Sequence, residues 1–167
     1  MSATCGGTPR GLAGQGNVAR ILIVDDDRSI RRTLEKFLAG EGYDVTTAQD
    51  APGAIAVGEA CEVMLLDLGL PGGSGFDVLG AIADRPSAPA IVVVTARDDM
   101  QSTVKAIQLG AYEYLVKPVD IDRLRLVVRR ALDSQKTREQ LEAFVTQTAE
   151  KRVVGDILGK SPAIRDV

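Results

Sequence analysis

Apolar residues along this chain gather in short, nearly continuous runs. Four stand out: ILIV at 21–24, VMLL at 63–66, IVVV at 91–94, and a weaker run over 112–116. Each has the length of a strand buried on both faces, which is how a parallel sheet reads. Residues 44–48 are polar enough to predict an edge strand. Between the runs lie segments with helical spacing. Ile30, Leu34, Phe37 and Leu38 form one stripe, and Gly40, Glu41 and Gly42 end that helix. Asp50, Ala51 and Pro52 suit the opening of a second helix. Residues 75–83, 100–109 and 120–132 supply three more.

Strand and helix thus alternate five times between residues 20 and 132. That alternation predicts right-handed crossovers and a parallel sheet with helices on both faces. The expected fold class is α/β: a flavodoxin-like, doubly wound, five-stranded parallel sheet of order 2-1-3-4-5, with an extended C-terminal linker helix. In such a sheet the functional groups gather at the carboxyl ends of the strands. Here those ends carry Asp25, Asp26 and Asp27, then Asp67, Thr95 and Lys117. Singly, each has a plain explanation as a helix cap, a turn residue or a solvated charge. Together they place acids, a hydroxyl and an ammonium on one rim.

Phosphoryl transfer to a carboxylate needs this set. Clustered carboxylates repel one another, so a proton or a divalent cation must be supplied. Hard oxygen ligands favour Mg²⁺. The cation and a lysine would neutralise charge on the moving group, a hydroxyl would donate to another oxygen, and one central carboxylate would be the nucleophile.

Composition narrows the field further. The chain has 167 residues, with 20 Lys and Arg against 23 Asp and Glu for a net charge of −3. That balance argues against a free-standing nucleic-acid binder, and no direct nucleic-acid contact is expected. No apolar run approaches the roughly 20 residues of a membrane span, so no membrane association is expected. Residues 1–18 lack an apolar signal region and read as a disordered leader. Histidine is absent, which removes a zinc site or a histidine-based triad. Cys5 and Cys61 read as two reduced thiols, and the expected location is cytoplasmic. Gly159, Lys160 and Ser161 are not a phosphate loop, because only three residues separate Gly155 from Gly159.

The stretches ILIVDDD (21–27), MLLDLGLPGGSG (64–75), VVVTAR (92–97) and YLVKP (114–118) resemble a response-regulator receiver domain, over about residues 19–134. The resemblance implies that Asp67 accepts a phosphoryl group from a sensor histidine kinase. It implies that Asp26 binds Mg²⁺ directly and Asp25 through water, with Asp67 and the Gly69 backbone carbonyl completing the metal site. Lys117 would pair with the phosphoryl group, and the peptide to Pro118 would be cis. Thr95 would move to bond the aspartyl phosphate, small Ala96 would leave room for its oxygens, and Tyr114 would turn inward. Two positions depart from the pattern. Gly69 has no side chain to orient a water, and Arg97 is long and cationic; both positions tune aspartyl-phosphate lifetime in the family. Asp27 is expected to open the following helix.

Two other readings compete. Asp25, Asp26 and Asp27 after an apolar strand also resemble the first motif of haloacid-dehalogenase-type phosphatases, with Asp25 as nucleophile and Asp27 as general acid. Against this, no acidic pair follows Lys117 at a strand end, and Asp67 would have no task. The other is a pseudo-receiver that docks partners without chemistry.

The receiver is expected over 19–133 and a helical linker over 134–152. Heptad positions counted from Leu124 are Leu124, Val127, Ala131, Ser134, Arg138, Leu141, Val145, Thr148 and Arg152; five of the nine are apolar, a weak coiled coil. A homodimer through the fourth-helix and fifth-helix face and this linker is expected. Residues 153–167 resemble the opening of the AAA+ ATPase domain in sigma-54-dependent transcriptional activators of the NtrC type. The chain would then be a regulatory part, not itself an enzyme, without ATPase or DNA-binding activity.

Overall fold

The computed structural model describes residues 17–163, with side-chain environments for 17–151. The expected leader lies outside the described residues apart from Asn17 and Val18, as do residues 164–167. The elements run β1 (Arg20–Val24), α1 (Arg28–Gly40), β2 (Asp44–Ala48), α2 (Ala51–Val57), β3 (Val63–Leu66), α3 (Gly75–Ala83), β4 (Ala90–Thr95), α4 (Met100–Gln108), β5 (Glu113–Val116) and α5 (Ile121–Ala163). All four strand pairings are parallel, and the order is β2-β1-β3-β4-β5. The doubly wound expectation holds.

Alternate strand residues point to opposite faces, and the two faces collect separate cores. Leu22, Val24, Met64, Leu66, Ile91 and Val93 pack against α2, α3 and α4 through Ala54, Val78, Leu79, Ile82 and Ala106. Ile21, Ile23, Val63, Leu65, Val92 and Val94 pack against α1 and α5 through Leu34, Leu38, Leu124, Val128 and Leu132. This two-sided burial is why the central strands read as continuous apolar runs. β2, at the edge, stays polar and partly exposed.

Three boundaries differ from the sequence reading. Tyr112 is not in β5: its N–H donates to the Ile91 carbonyl at 2.7 Å in the turn before the strand. β4 gains a residue at each end of the apolar run, Ala90 and Thr95. The expected extended C-terminal helix is present, and it runs unbroken from Ile121 to Ala163, past residue 152 where the helical linker is expected to end. Leu124, Val127 and Ala131 are buried in the core on the α1 and α5 face of the sheet. Those first heptad positions are therefore spent on the sheet and not on a second helix, because one helix stripe can cover only one neighbour.

Candidate functional site

The order reversal between β1 and β3 brings the ends of those strands side by side, with Val24 opposite Leu66. Asp25 and Asp67 follow them directly. The Asp25 N–H donates to the Ala48 carbonyl at 3.2 Å and the Asp67 N–H to the Val24 carbonyl at 2.9 Å, so both backbones stay tied to neighbouring strands. On the other side, the Lys117 N–H donates to the Thr95 carbonyl at 2.8 Å. Parallel pairing thus aims side chains from β1, β3, β4 and β5 at one rim.

Asp25 is 3 % exposed, Asp67 8 % and Thr95 1 %. The Lys117 ammonium joins the acids, with Nζ donating to Asp25 Oδ2 at 2.6 Å and to Asp67 Oδ2 at 3.1 Å. The other Asp25 oxygen accepts from the Asp27 N–H at 2.8 Å, and the other Asp67 oxygen from the Gly69 N–H at 3.1 Å. Burial pushes the Asp25 carboxyl above the usual carboxylate range, against the opposing pull of Lys117. Burial alone would lower the Lys117 ammonium, but its hydrogen bonds to Asp25 and Asp67 outweigh that and hold it above the usual lysine value.

One carboxylate oxygen from each of Asp25, Asp26 and Asp67 lies within 4.8 Å of the others. The Asp26 side chain is exposed, leaving the cluster open to solvent on that side. An all-oxygen set with an open side fits Mg²⁺, which keeps several waters and takes one or two carboxylates. Asp27 stands apart. Its carboxylate caps α1, accepting from the Ser29 N–H at 2.8 Å and the Ile30 N–H at 3.2 Å. An acid held by those two bonds is not aimed at Asp25.

The loop after Asp67 is shaped by two glycines. Gly72 has φ +73, which side chains disfavour. At Gly75 a Cβ would collide with the Asp67 carbonyl and the Leu68 Cα, so α3 begins as close to the acidic strand as a backbone can come. Ser74 and Asp77 close a reciprocal capping box over that start.

On the β4 side, the Thr95 hydroxyl accepts from the Arg97 N–H at 3.3 Å. Tyr114 is buried, and its hydroxyl donates to the Arg97 carbonyl at 2.7 Å. Ala96, Arg97, Gly69 and Pro118 are exposed around the rim, and the Lys117–Pro118 peptide is cis. All the singled-out residues therefore meet at one end of the sheet. Arg31 was not singled out, yet its guanidinium donates to the Asp25 carbonyl and pins the end of β1. Its position one turn into the helix that Asp27 opens was the available signal. Nothing in the sequence distinguishes it from Arg28 and Arg32. Cys61 lies away from this rim; burial pushes its thiol up to about 12, and it donates to the Gly58 carbonyl.

Known proteins resemble this chain in sequence and fold. The DNA-binding transcriptional regulator NtrC of Salmonella typhimurium is 34 % identical over 149 residues, covering 88 % of this chain and 31 % of that protein. The transcriptional regulatory protein KdpE of Mycobacterium tuberculosis is 37 % identical over 145 residues, covering 81 % of this chain and 64 % of its own. The chain thus spans about a third of the NtrC relative's length. Among solved structures, the signal receiver domain of a putative Luxo repressor protein from Vibrio parahaemolyticus superposes with a TM-score of 0.71 at 30 % identity, covering 75 % of this chain and 98 % of that one. The profile of the response regulator receiver domain matches residues 21–129, from the first residue of the β1 apolar run to the core-facing turns of α5, and the chain belongs to that family.

Proposed function

We propose that the chain accepts a phosphoryl group on Asp67 from a sensor histidine kinase in a Mg²⁺-dependent reaction. The observation that carries this reading is the Lys117 ammonium bridging the two buried members, Asp25 and Asp67, of one acidic cluster. An oxygen of ionised Asp67 forms the new P–O bond as the P–N bond to the donor imidazole breaks, and the released nitrogen is neutralised by a proton. Lys117 stays on the acceptor side and balances the charge that arrives. Asp25, Asp26, Asp67 and the Gly69 carbonyl would hold Mg²⁺, which when bound supplies positive charge to the transferring oxygens. The Thr95 hydroxyl, at the same rim, is the group to donate to a phosphoryl oxygen. Ala96 leaves space beside it. Gly69 and Arg97, flanking the site, are the positions that set the lifetime of the product.

Phosphorylation adds about −1.5 to −2 charge and strong acceptors at this rim. Thr95 and Tyr114 share Arg97 as a hydrogen-bond neighbour, which links the site to the α4–β5–α5 face. That face exposes Met100, Val104 and Ile107 on α4, and further along α5 Leu141, Phe144 and Val145. The reading is that phosphorylation controls homodimerisation through this face and the linker. Through the linker it would control an ATPase of the sigma-54 activator type, whose opening residues 153–167 resemble. The haloacid-dehalogenase reading has less support, since the Asp27 carboxylate is committed to α1.

The test is intact mass after incubation with Mg²⁺ and acetyl phosphate, for the parent, Asp67→Ala and Asp25→Ala. One added phosphoryl group on the parent alone is expected. No gain by a Mg²⁺-binding parent points to the pseudo-receiver. Donor turnover that survives Asp67→Ala but not Asp25→Ala hands the chemistry to Asp25.

A further inference from the structure

Past Leu132 the fifth helix leaves the core. Every side chain from Lys136 to Lys151 is exposed, so apolar burial does not hold this arm to the receiver. Two clefts flank its first turns, of about 390 Å³ beside Arg20, Glu62 and Ser87, and about 350 Å³ beside Gly110 and Tyr112. Gln135 and Arg138 line both. They are three residues apart and so share one helix face. Gln135 Nε2 donates to the Ala88 carbonyl at 3.0 Å, and Arg138 Nη2 donates to the Pro86 carbonyl at 2.9 Å. Arg138 Nε meanwhile pairs with Glu142, one turn along the same helix, at 3.1 Å.

The loop that accepts these bonds is itself anchored. Arg85 Nε donates to the Ala81 carbonyl at 3.0 Å, and its Nη1 pairs with Glu59 at 2.6 Å. The Ala88 N–H closes a turn onto the Arg85 carbonyl at 3.1 Å. Its carbonyls at Pro86 and Ala88 are therefore presented from a braced segment.

We propose that Gln135 and Arg138 form a clasp that makes the start of the linker arm part of the receiver body, so that the α3–β4 loop sets the arm's direction. The placement gives α3 two ends with different tasks. Its first residue, Gly75, packs on the backbone of Asp67 and Leu68, and its last residues lead into the clasped loop. A shift of the acceptor loop is carried along the nine residues of α3, about two and a half turns, to the arm. This route is separate from the one through Thr95 and Tyr114.

The test is ¹⁵N relaxation on the full chain and needs no phosphodonor, so it stands apart from the reading of Asp67. In Gln135→Ala/Arg138→Ala, order parameters of amides 136–145 are expected to fall from about 0.85 to below about 0.6, with those of β4 unchanged. Alanine is the strongest helix former, so such a loss is not a propensity effect. Glu142→Gln, which removes only the intrahelical pair, is expected to leave the arm ordered. The single variant Arg138→Ala, at an exposed position, is expected to give an intermediate loss. An arm that stays ordered in both alanine variants overturns the clasp. An equal loss in Glu142→Gln alone overturns it too, because the intrahelical pair would then be the whole cause.

Discussion

Asp25 and Lys117 show how one buried rim holds unequal charges. Burial raises the Asp25 carboxyl above its ordinary value, so the folded state binds that proton more tightly than the unfolded chain does. Stability from this group is present in full below the usual carboxylate pKa of about 3.9 and lost as pH rises through the elevated folded value. Lys117 is raised as well, so its contribution persists up to its ordinary pKa near 10.4 and is lost only above that. In the absence of divalent cations, Asp25→Asn is therefore expected to unfold at higher urea than the parent at pH 7, with the gap closing towards pH 4. The asparagine oxygen still accepts from Lys117, and Asp67 remains as its ionic partner. A lower urea midpoint for the variant at pH 7 would show that the Lys117–Asp25 attraction exceeds the burial cost. The acids themselves were legible in the sequence because they sit directly after apolar strands. Arg31 was not, because three arginines share the start of α1 and only packing selects one.

Among the elements, α5 changes character along its length. Leu124, Val127, Val128, Ala131 and Leu132 cover the sheet, and Leu141, Phe144 and Val145 are then exposed at 62 %, 67 % and 57 %. Fully burying a leucine or phenylalanine is worth about 1.5–3 kcal/mol, and a dimer loses each side chain twice. Leu141→Ser/Phe144→Ser is expected to weaken self-association by at least about tenfold, which is about 1.4 kcal/mol, as read by sedimentation equilibrium. Phosphoryl uptake on Asp67 should be unaffected, since neither residue lies near the rim. An unchanged dissociation constant would remove this stretch of α5 from the interface. The heptad pattern, apolar at five of nine positions, indicated a weak coiled coil, but a 3.5-residue period does not say which neighbour covers each part of it.

At the scale of the whole molecule, a ligand that binds only the folded site stabilises the fold. Mg²⁺ at about a hundredfold excess over its dissociation constant is expected to raise unfolding free energy by about 2.7 kcal/mol. Removing it with a chelator should reverse the gain. Asp26→Asn, which withdraws an exposed carboxylate from the cluster, should reduce the gain while leaving the apo protein folded. A Mg²⁺ effect of equal size in parent and Asp26→Asn would place the ion elsewhere. The sheet supplies the rigidity for this linkage, because both faces of its central strands are fully packed.

The sequence alone determined the alternation of strand and helix, the doubly wound order and the residues that crowd one rim. These follow from local features: run length, capping residues and the position of polar groups just after apolar strands. Asp27 is an example, since the acid directly before a helical stripe is in position to cap that helix through local bonds alone. Tertiary structure alone decided the remainder. It placed Lys117 between two acids 50 and 92 residues away in the chain. It spent Leu124, Val127 and Ala131 on the core, and it joined Gln135 and Arg138 to loop carbonyls. The physical reason is that periodicity records which face of an element is apolar, whereas the partner of that face, and of every long polar side chain, is set by distances through space.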